Sequence, residues 1–141
     1  MSRIFWDSNL FIYLFEDNPD FAQMVAELRQ KMLKRGDQLL TSMLTLGEIL
    51  VKPLRKGDQA ACQSYEDILT GTALLLPFDL KAARRYASIR CQTNSIKGPD
   101  AIQLACAGEA GVDLFITNDH RLQGKQVDGI QFIVALDQVP I

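Results

Sequence analysis

The sequence has few of the residues that bind soft metals or carry protons in catalysis. It contains a single histidine, His120, and three cysteines, Cys62, Cys91 and Cys106, without C-x-x-C spacing. One histidine excludes a two-histidine, metal-independent nuclease, and it leaves little basis for a Ser-His-Asp hydrolase. The scattered, odd-numbered cysteines do not suggest a zinc site, and they predict reduced, mostly buried thiols in a cytoplasmic protein.

Excess positive charge and long apolar runs are also lacking. Lys and Arg number 15 against 17 Asp and Glu, for a formal net charge of −2. This balance excludes a strongly basic nucleic-acid-binding module, so any RNA contact must come from a local basic patch. No apolar run is long enough to span a membrane, and residues 1–6 lack the features of a signal peptide. We therefore expect a cytoplasmic protein without a membrane partner.

Apolar residues are plentiful enough for one core: 48% of the 141 residues are hydrophobic. Residues 1–141 are therefore predicted to form a single domain. Short apolar strands alternate with amphipathic helices and lack clean in–out alternation, which favours an α/β fold with a mostly parallel sheet. The predicted strands are residues 3–6, 39–41, 72–76, 114–116 and 131–134.

Capping and breaking residues set the predicted helix ends. Asp20 is predicted to cap the second helix and Gly36 to stop it, while Pro53 ends or kinks the third. Gly71 is predicted to close the fourth helix, and Asp79 to cap the fifth. The sixth has Pro99 in its first turn, ends before Gly111 and is apolar almost all round, which predicts a buried helix.

Four acidic residues occupy positions where open parallel sheets bind ligands. Asp7 directly follows the first strand, and Asp119 follows the fourth, so both should lie at the carboxyl edge of the sheet. Glu48 lies in the helix after the second strand, and Asp100 opens the buried helix. A helix start in this architecture can also face that edge.

Each acid alone has a purely structural explanation. Asp7 could be an N-cap, Thr45 and Glu48 match a capping box, and Asp100 could complement the helix dipole. Asp119 could form an Asx turn with the preceding Asn118. Together they are harder to explain, because clustered carboxylates repel one another and contribute no stability. A hard divalent cation removes that repulsion, and Mg²⁺ prefers oxygen ligands.

Four motifs in order resemble those of PIN domains, in particular the VapC-type toxin ribonucleases, over nearly the whole chain. The motifs are Asp7-Ser8-Asn9, Ser42-x-x-Thr45-x-x-Glu48, Pro99-Asp100-Ala101-Ile102 and Thr117-Asn118-Asp119. The resemblance implies a three-layer α/β/α domain with a mostly parallel sheet of about four to five strands.

The resemblance also implies a function. Asp7, Glu48, Asp100 and Asp119 would be the catalytic acids that bind Mg²⁺ or Mn²⁺, with Asn9 and Thr117 as supporting polar residues in the same pocket. The implied reaction is hydrolysis of RNA to leave a 5′-phosphate and a 3′-hydroxyl. The implied partners are a second copy of the chain and an antitoxin, as in type II toxin–antitoxin pairs.

The sequence departs from the family pattern at two places. Gln103 and Leu104 replace a more usual apolar-and-alanine run, and His120 or Arg121 stands where the family has a further acid. The number of metal ions therefore stays open, at one or two.

Cations are expected around an acidic pocket that receives RNA. The candidate phosphate contacts are Lys52, Arg55, Lys56, Lys97, His120 and Arg121. The large apolar residues of the first helix could either fill the core or form an interface with a twin subunit or an antitoxin. These residues are Phe11, Tyr13, Leu14 and Phe15.

Rival hypotheses fit the sequence less well. A receiver-type phosphoacceptor domain needs an acidic pair after the first strand and an Asp after the third, for which Asp79 is the only candidate. An Asp-x-Asp phosphatase is excluded because position 9 is Asn. A PIN-fold RNA-binding or scaffold protein without nuclease activity remains the alternative, although retention of all four acids disfavours it.

Overall fold

Five short strands form one fully parallel sheet in the computed structural model, which describes residues 1–141. The strands are β1 (Arg3–Trp6), β2 (Gln38–Ser42), β3 (Leu74–Leu76), β4 (Val112–Ile116) and β5 (Ile130–Val134). Their order is β3-β2-β1-β4-β5, so β1 lies at the centre. In register, Ile4 of β1 pairs with Leu39 of β2 and Leu114 of β4. The α/β prediction of four to five mostly parallel strands is confirmed.

Six α-helices connect and cover these strands. They are α1 (Ser8–Phe15), α2 (Ala22–Arg35), α3 (Met43–Arg55), α4 (Gln59–Thr72), α5 (Leu80–Gln92) and α6 (Gly98–Ala110). A short 3₁₀ turn, Leu136–Gln138, follows β5. None of the helices is both long and apolar enough to cross a membrane.

The two faces of the sheet are each buried under helices, which gives the three layers expected. On β1, Ile4 and Trp6 belong to a core shared with α1 to α4, whereas Phe5 points to the other side, toward α5 and α6. On β4, Phe115 stacks on Phe5 with ring centroids 4.9 Å apart. Successive strand residues therefore enter opposite cores, which is why the strand sequences are apolar without alternation.

Some predicted helix ends are confirmed. Gly36 ends α2 in the left-handed conformation, with φ of 73°, which glycine adopts without steric cost. Asp79 caps α5 by accepting the N–H of Ala82 at 2.9 Å. Gly111 follows the end of α6, whose central residues are almost all buried.

The start of α2 differs from the prediction. Asp20 does not cap this helix, which begins at Ala22. Asn18 performs the capping role earlier in the chain, since its Oδ1 accepts the N–H groups of Asp20 and Phe21 at 2.8 and 3.0 Å. This Asx-type turn satisfies the free backbone donors before the helix starts.

Two helices continue past residues that were expected to end them, or in the case of Pro53 to end or kink its helix. Pro53 lies inside α3, which runs on to Arg55, and Gly71 lies inside α4, which ends at Thr72. Proline near the end of a helix removes only one backbone hydrogen bond, so packing of the preceding turns outweighs the loss. Gly71 is one residue from the helix end, where its low helix propensity matters least.

The three cysteines differ in exposure more than the sequence suggested. All are free thiols, but only Cys106 is buried, Cys62 is partly buried and Cys91 is exposed. Cys106 lies in the buried helix α6, and burial raises the pKa of its thiol to about 11. The prediction of mostly buried thiols therefore holds for Cys106 and is wrong for Cys91, because α5 has a solvent-facing side.

Candidate active site at the carboxyl edge of the sheet

Asp7 is a buried carboxylate directly after the central strand. It is only 5% exposed. Its Oδ1 accepts the N–H of Ser8 at 2.8 Å and so caps α1, while its Oδ2 accepts the hydroxyl of Thr117 at 2.8 Å. Burial raises the pKa of Asp7 to about 6; the hydrogen bonds from Thr117 and Ser8 oppose this rise, and the nearby carboxylates of Asp100 and Glu48 add to it. Asp7 is therefore both the N-cap considered from sequence and a buried acid with a raised pKa.

Glu48 approaches Asp7 from α3, the helix after β2. It is half-buried, and burial is the main cause that raises its pKa; the Ser8 hydroxyl opposes the rise and Asp100 adds to it. The alternative that Thr45 and Glu48 form a capping box is wrong. Ser42 is the N-cap of α3, and the hydroxyl of Thr45 lies within hydrogen-bond distance of Thr41, at 2.7 Å, instead of capping the helix.

Asp100 and Asp119 face each other on the other side of the site. Asp100 lies in the first turn of α6, and its pKa is raised by burial and by Asp119. Arg121 bridges the pair, with its Nη2 at 2.7 Å from Asp119 and 3.7 Å from Asp100. The Arg121 hydrogen bonds hold the pKa of Asp119 below its usual range.

Asp119 forms an Asx turn, but with Arg121 and not with Asn118, the partner expected from sequence. Its Oδ1 accepts the backbone N–H of Arg121 at 3.0 Å. The backbone N–H of Asp119 in turn donates to the hydroxyl of Thr117 at 3.0 Å. The hydroxyl of Thr117 thus joins Asp7 to Asp119. Thr117 itself is fully buried.

The four acids form an electrostatically coupled set. Asp100 raises the pKa of both Asp7 and Glu48, and Asp119 raises that of Asp100. Crowded carboxylates raise one another's pKa by repulsion, but burial is the larger cause for all three raised groups. The structure thus brings together, from four separate elements, the acids that the sequence placed at one edge.

The four carboxylates are chemically suited to a hard divalent cation, but they are not spaced to coordinate one. All four side chains offer carboxylate oxygens, the ligands that Mg²⁺ and Mn²⁺ prefer. No three His, Cys, Asp or Glu side chains stand at a spacing that would hold a metal ion. Arg121 in addition occupies both oxygens of the Asp119 carboxylate.

The predicted cations lie around the site in different ways. Lys97 is the N-cap residue of α6. Its positive charge opposes the rise in the pKa of Asp100 and adds to the lowering of the pKa of Asp119. Arg121 is not a free rim cation, because the acids themselves hold it. Lys52 pairs with Glu16 on the exposed side of α3. The other three predicted cations are all exposed: Arg55, Lys56 and His120.

Aromatic residues of α1 find partners within the chain. Phe11 is buried against Trp6, with ring centroids 5.2 Å apart. Tyr13 packs on Phe21 at 4.7 Å, and Phe15 stacks on Tyr65 at 4.5 Å. Core packing thus accounts for Phe11, whereas the others are only partly buried at the surface of the same core.

A groove of about 440 Å³ opens between α1, α3 and α4. Glu48 lines it, so the groove reaches the acidic site. Phe15, Val51 and Tyr65 contribute apolar surface, and Lys56 contributes a positive charge.

Two residues at the site were missed by sequence reasoning. Ser8 contacts two of the acids, through its backbone N–H to Asp7 and its hydroxyl near Glu48. Gln103 was noted only as a departure from the family pattern, although it is buried and hydrogen-bonded to Thr45 at 2.8 Å. Its position, one helical turn after Asp100 on an otherwise apolar helix, was the available signal.

A family comparison identifies this arrangement. The model of the PIN-domain family matches residues 4–127, which include all four acids. The chain belongs to the PIN-domain family. The family prediction made from the four motifs is confirmed, and the receiver-domain hypothesis is excluded; Asp79, its only phosphoacceptor candidate, is the cap of α5.

Solved structures of VapBC assemblies share the fold. VapBC2 from Rickettsia felis, bound to a promoter DNA fragment, has a TM-score of 0.75 and 16% identity, covering 94% of this chain and 98% of that one. DNA-bound VapBC from Salmonella typhimurium has a TM-score of 0.67 and 22% identity, covering 96% and 99%. VapBC-5 from Mycobacterium tuberculosis has a TM-score of 0.64 and 20% identity, covering 96% and 99%. At these identities the likeness establishes the fold, and no curated protein matches the chain in sequence.

Proposed function

We propose that this PIN-domain protein is an endoribonuclease that uses Mg²⁺ or Mn²⁺ held by Asp7, Glu48, Asp100 and Asp119. The observation that carries the proposal is the convergence of these acids from four elements, with the pKa of three of them raised. Burying and crowding carboxylates opposes folding, so a fold retains such a set when it serves a function.

The residues of the chain would divide the work of RNA hydrolysis. Thr117 and the N–H of Ser8 orient the Asp7 carboxylate from opposite sides, and Asn9, half-buried in the first turn of α1, would support the same pocket. Lys97 would attract the phosphate backbone toward an otherwise negative site, whereas Arg121 would first have to leave its pair with Asp119. A bound divalent cation would supply Lewis-acid chemistry, favouring attack by water and stabilising the leaving oxygen.

We further propose that the protein is the toxin of a type II toxin–antitoxin pair. The similar structure from Klebsiella pneumoniae is a toxin–antitoxin complex, and that from Mycobacterium tuberculosis is a member of the VapBC family of toxin–antitoxin systems. The groove beside Glu48 has apolar walls and would accept a segment of a small antitoxin, which would block RNA access. If a small gene immediately upstream encodes the antitoxin, its co-expression should relieve growth inhibition. We also expect a homodimer, which sedimentation analysis would detect.

The direct test is cleavage of a generic RNA by the purified protein in Mn²⁺ and in EDTA. The parental protein should cut only with metal, and Asp7→Asn should be inactive. Asp20→Asn is the matched control, since it removes the same charge from an exposed site and should cut normally. Cleavage that persists in EDTA, or in the Asp7 variant, would contradict the proposal.

The alternative is a PIN-fold RNA-binding or scaffold protein without nuclease activity. Two observations favour it: Arg121 ion-pairs with Asp119 and Asp100, and no three acids stand at metal-binding spacing. Under this alternative the parental protein would bind RNA with the same affinity in EDTA and in Mn²⁺, and would leave it intact. Filter binding and gel analysis of the same reactions distinguish the two functions.

A further inference from the structure

A chain of buried hydrogen bonds runs beneath the acidic site. The amide nitrogen of Gln103 donates to the hydroxyl of Thr45 at 2.8 Å, and the hydroxyl of Ser42 donates to the amide oxygen of Gln103. Thr45 and Thr41 share a hydrogen bond of 2.7 Å, and Thr41 donates to the carbonyl oxygen of Trp6 at 2.8 Å. All five residues are almost completely buried.

This network joins the backbones of three elements that carry acids. Gln103 lies one helical turn after Asp100 on α6, and Thr45 lies one turn before Glu48 on α3. Trp6 immediately precedes Asp7. Residues one turn apart share a helix face, so a bond between Gln103 and Thr45 links the faces that present Asp100 and Glu48.

Gln103 is the only member of the network on α6, so its amide makes every bond between this helix and the other members. An amide suits the place, because it accepts from one hydroxyl and donates to the other. An apolar residue would leave the hydroxyls of Ser42 and Thr45 buried without these partners.

We propose that Gln103 is a positioning residue, which sets the separation of Asp100 from Glu48 and Asp7 by tying α6 to α3 and β1. The proposal rests on the function proposed above, since it concerns the same acidic set. Gln103 itself does not touch substrate. It acts through the helix that bears Asp100, as second-layer hydrogen bonds orient the ligands of other metal sites.

The test compares Gln103→Leu, which keeps a similar volume and removes both hydrogen bonds, with Val112→Ala. Val112 is buried at the start of β4, at the far end of that strand from Asp119, so its truncation loosens the core without touching the network. Both variants should lower the melting temperature. Only Gln103→Leu should weaken Mn²⁺ binding, by about tenfold or more, in calorimetric titrations well below either melting temperature.

A double variant separates a shared network from general destabilisation. Thr45→Val removes the partner of the Gln103 amide nitrogen. Combined with Gln103→Leu, it should weaken Mn²⁺ binding by much less than the product of the two single effects, because both remove the same bond. Unchanged Mn²⁺ affinity in Gln103→Leu, or an equal loss in Val112→Ala, would overturn the proposal.

Crystal structures of the parental protein and Gln103→Leu keep the inference distinct from the proposed function. If the parental protein neither binds Mn²⁺ nor cuts RNA, the nuclease assignment fails. The positioning role is then judged by geometry alone. A displacement of the Asp100 carboxylate relative to Glu48 by about 1 Å, enough to impair a catalytic site, supports it. Superimposable acids in the two structures refute it.

Discussion

Replacing Asp7 with Asn should make the metal-free protein more stable at neutral pH. Burial raises the pKa of Asp7 from 3.8 to about 6. Ionising this carboxyl in the folded protein therefore costs about 3 kcal/mol of unfolding free energy relative to the protonated form. Asn is uncharged and avoids this cost, and its side chain can still cap α1.

The gain is smaller than the full cost because a charged acceptor is lost. Asp7 accepts hydrogen bonds from Ser8 and Thr117, and Asn can accept only one of them with its oxygen. Subtracting about 1–2 kcal/mol for weaker hydrogen bonding leaves a net gain of about 1–2 kcal/mol. For a chain of this size, that gain raises the melting temperature by several degrees.

The pH dependence follows from the direction of the shift. A raised pKa means that the stabilising contribution of protonated Asp7 is fully present below pH 3.8 and is lost as the pH rises through about 6. The parental protein should lose about 1 kcal/mol from this group between pH 5 and pH 7. Asp7→Asn should show a shallower decline, retaining only the parts due to Glu48 and Asp100, whose pKa values are also raised.

Urea denaturation in EDTA at several pH values measures both effects, and RNA cleavage in Mn²⁺ is assayed on the same preparations. The variant should be more stable at pH 7 and should lose cleavage by orders of magnitude. Asp20→Asn serves again as the charge-matched control, with parental stability and activity. Equal pH slopes for Asp7→Asn and the parental protein would refute the buried-acid argument, and parental cleavage rates would refute a catalytic role.

Three further outcomes are expected. Millimolar Mn²⁺ should raise the melting temperature of the parental protein. It should leave that of the double variant Asp7→Asn, Asp100→Asn nearly unchanged. Equal rises in melting temperature for the two proteins would place the Mn²⁺ site outside the acidic set. Thr117→Val should destabilise the metal-free protein by about 1–3 kcal/mol. The loss should be larger at pH 8 than at pH 5, because the hydrogen bond from Thr117 lowers the pKa of Asp7. Equal losses of unfolding free energy at the two pH values would argue against this cause. Arg121→Gln should raise the pKa of Asp119, as measured by NMR titration. It should also increase Mn²⁺ affinity several-fold in calorimetry, because the bidentate pair with Arg121 no longer competes for the Asp119 carboxylate. Weaker Mn²⁺ binding would contradict such competition.

Predictions of secondary structure from the sequence succeeded where the signal was local. Asp79, Gly36 and Gly111 mark real helix ends because caps and left-handed turns depend on a few neighbouring residues. The helices α3 and α4 continue past Pro53 and Gly71, because packing of each whole helix outweighed the low helix propensity of one residue near its end. The Thr45 capping box was wrong because Ser42 is the N-cap of α3, and the hydroxyl of Thr45 bonds with Thr41 and Gln103 instead.

The sequence by itself determined the α/β class, the order of elements and the edge at which Asp7 and Asp119 lie. These features follow from residue periodicity and chain direction, which need no knowledge of distant contacts. The motifs also identified the PIN-domain family, to which the matching family model assigns the chain.

Only the tertiary structure decided how the acids differ from one another. Asp7 has a pKa of about 6 and Asp119 one below its usual range, although both are aspartates that follow a strand. Burial separates them, together with Arg121, which ion-pairs with Asp119 and with Asp100 from another element. Desolvation and charge pairing depend on which residues from distant parts of the chain surround a group, and spacing along the sequence does not encode that directly.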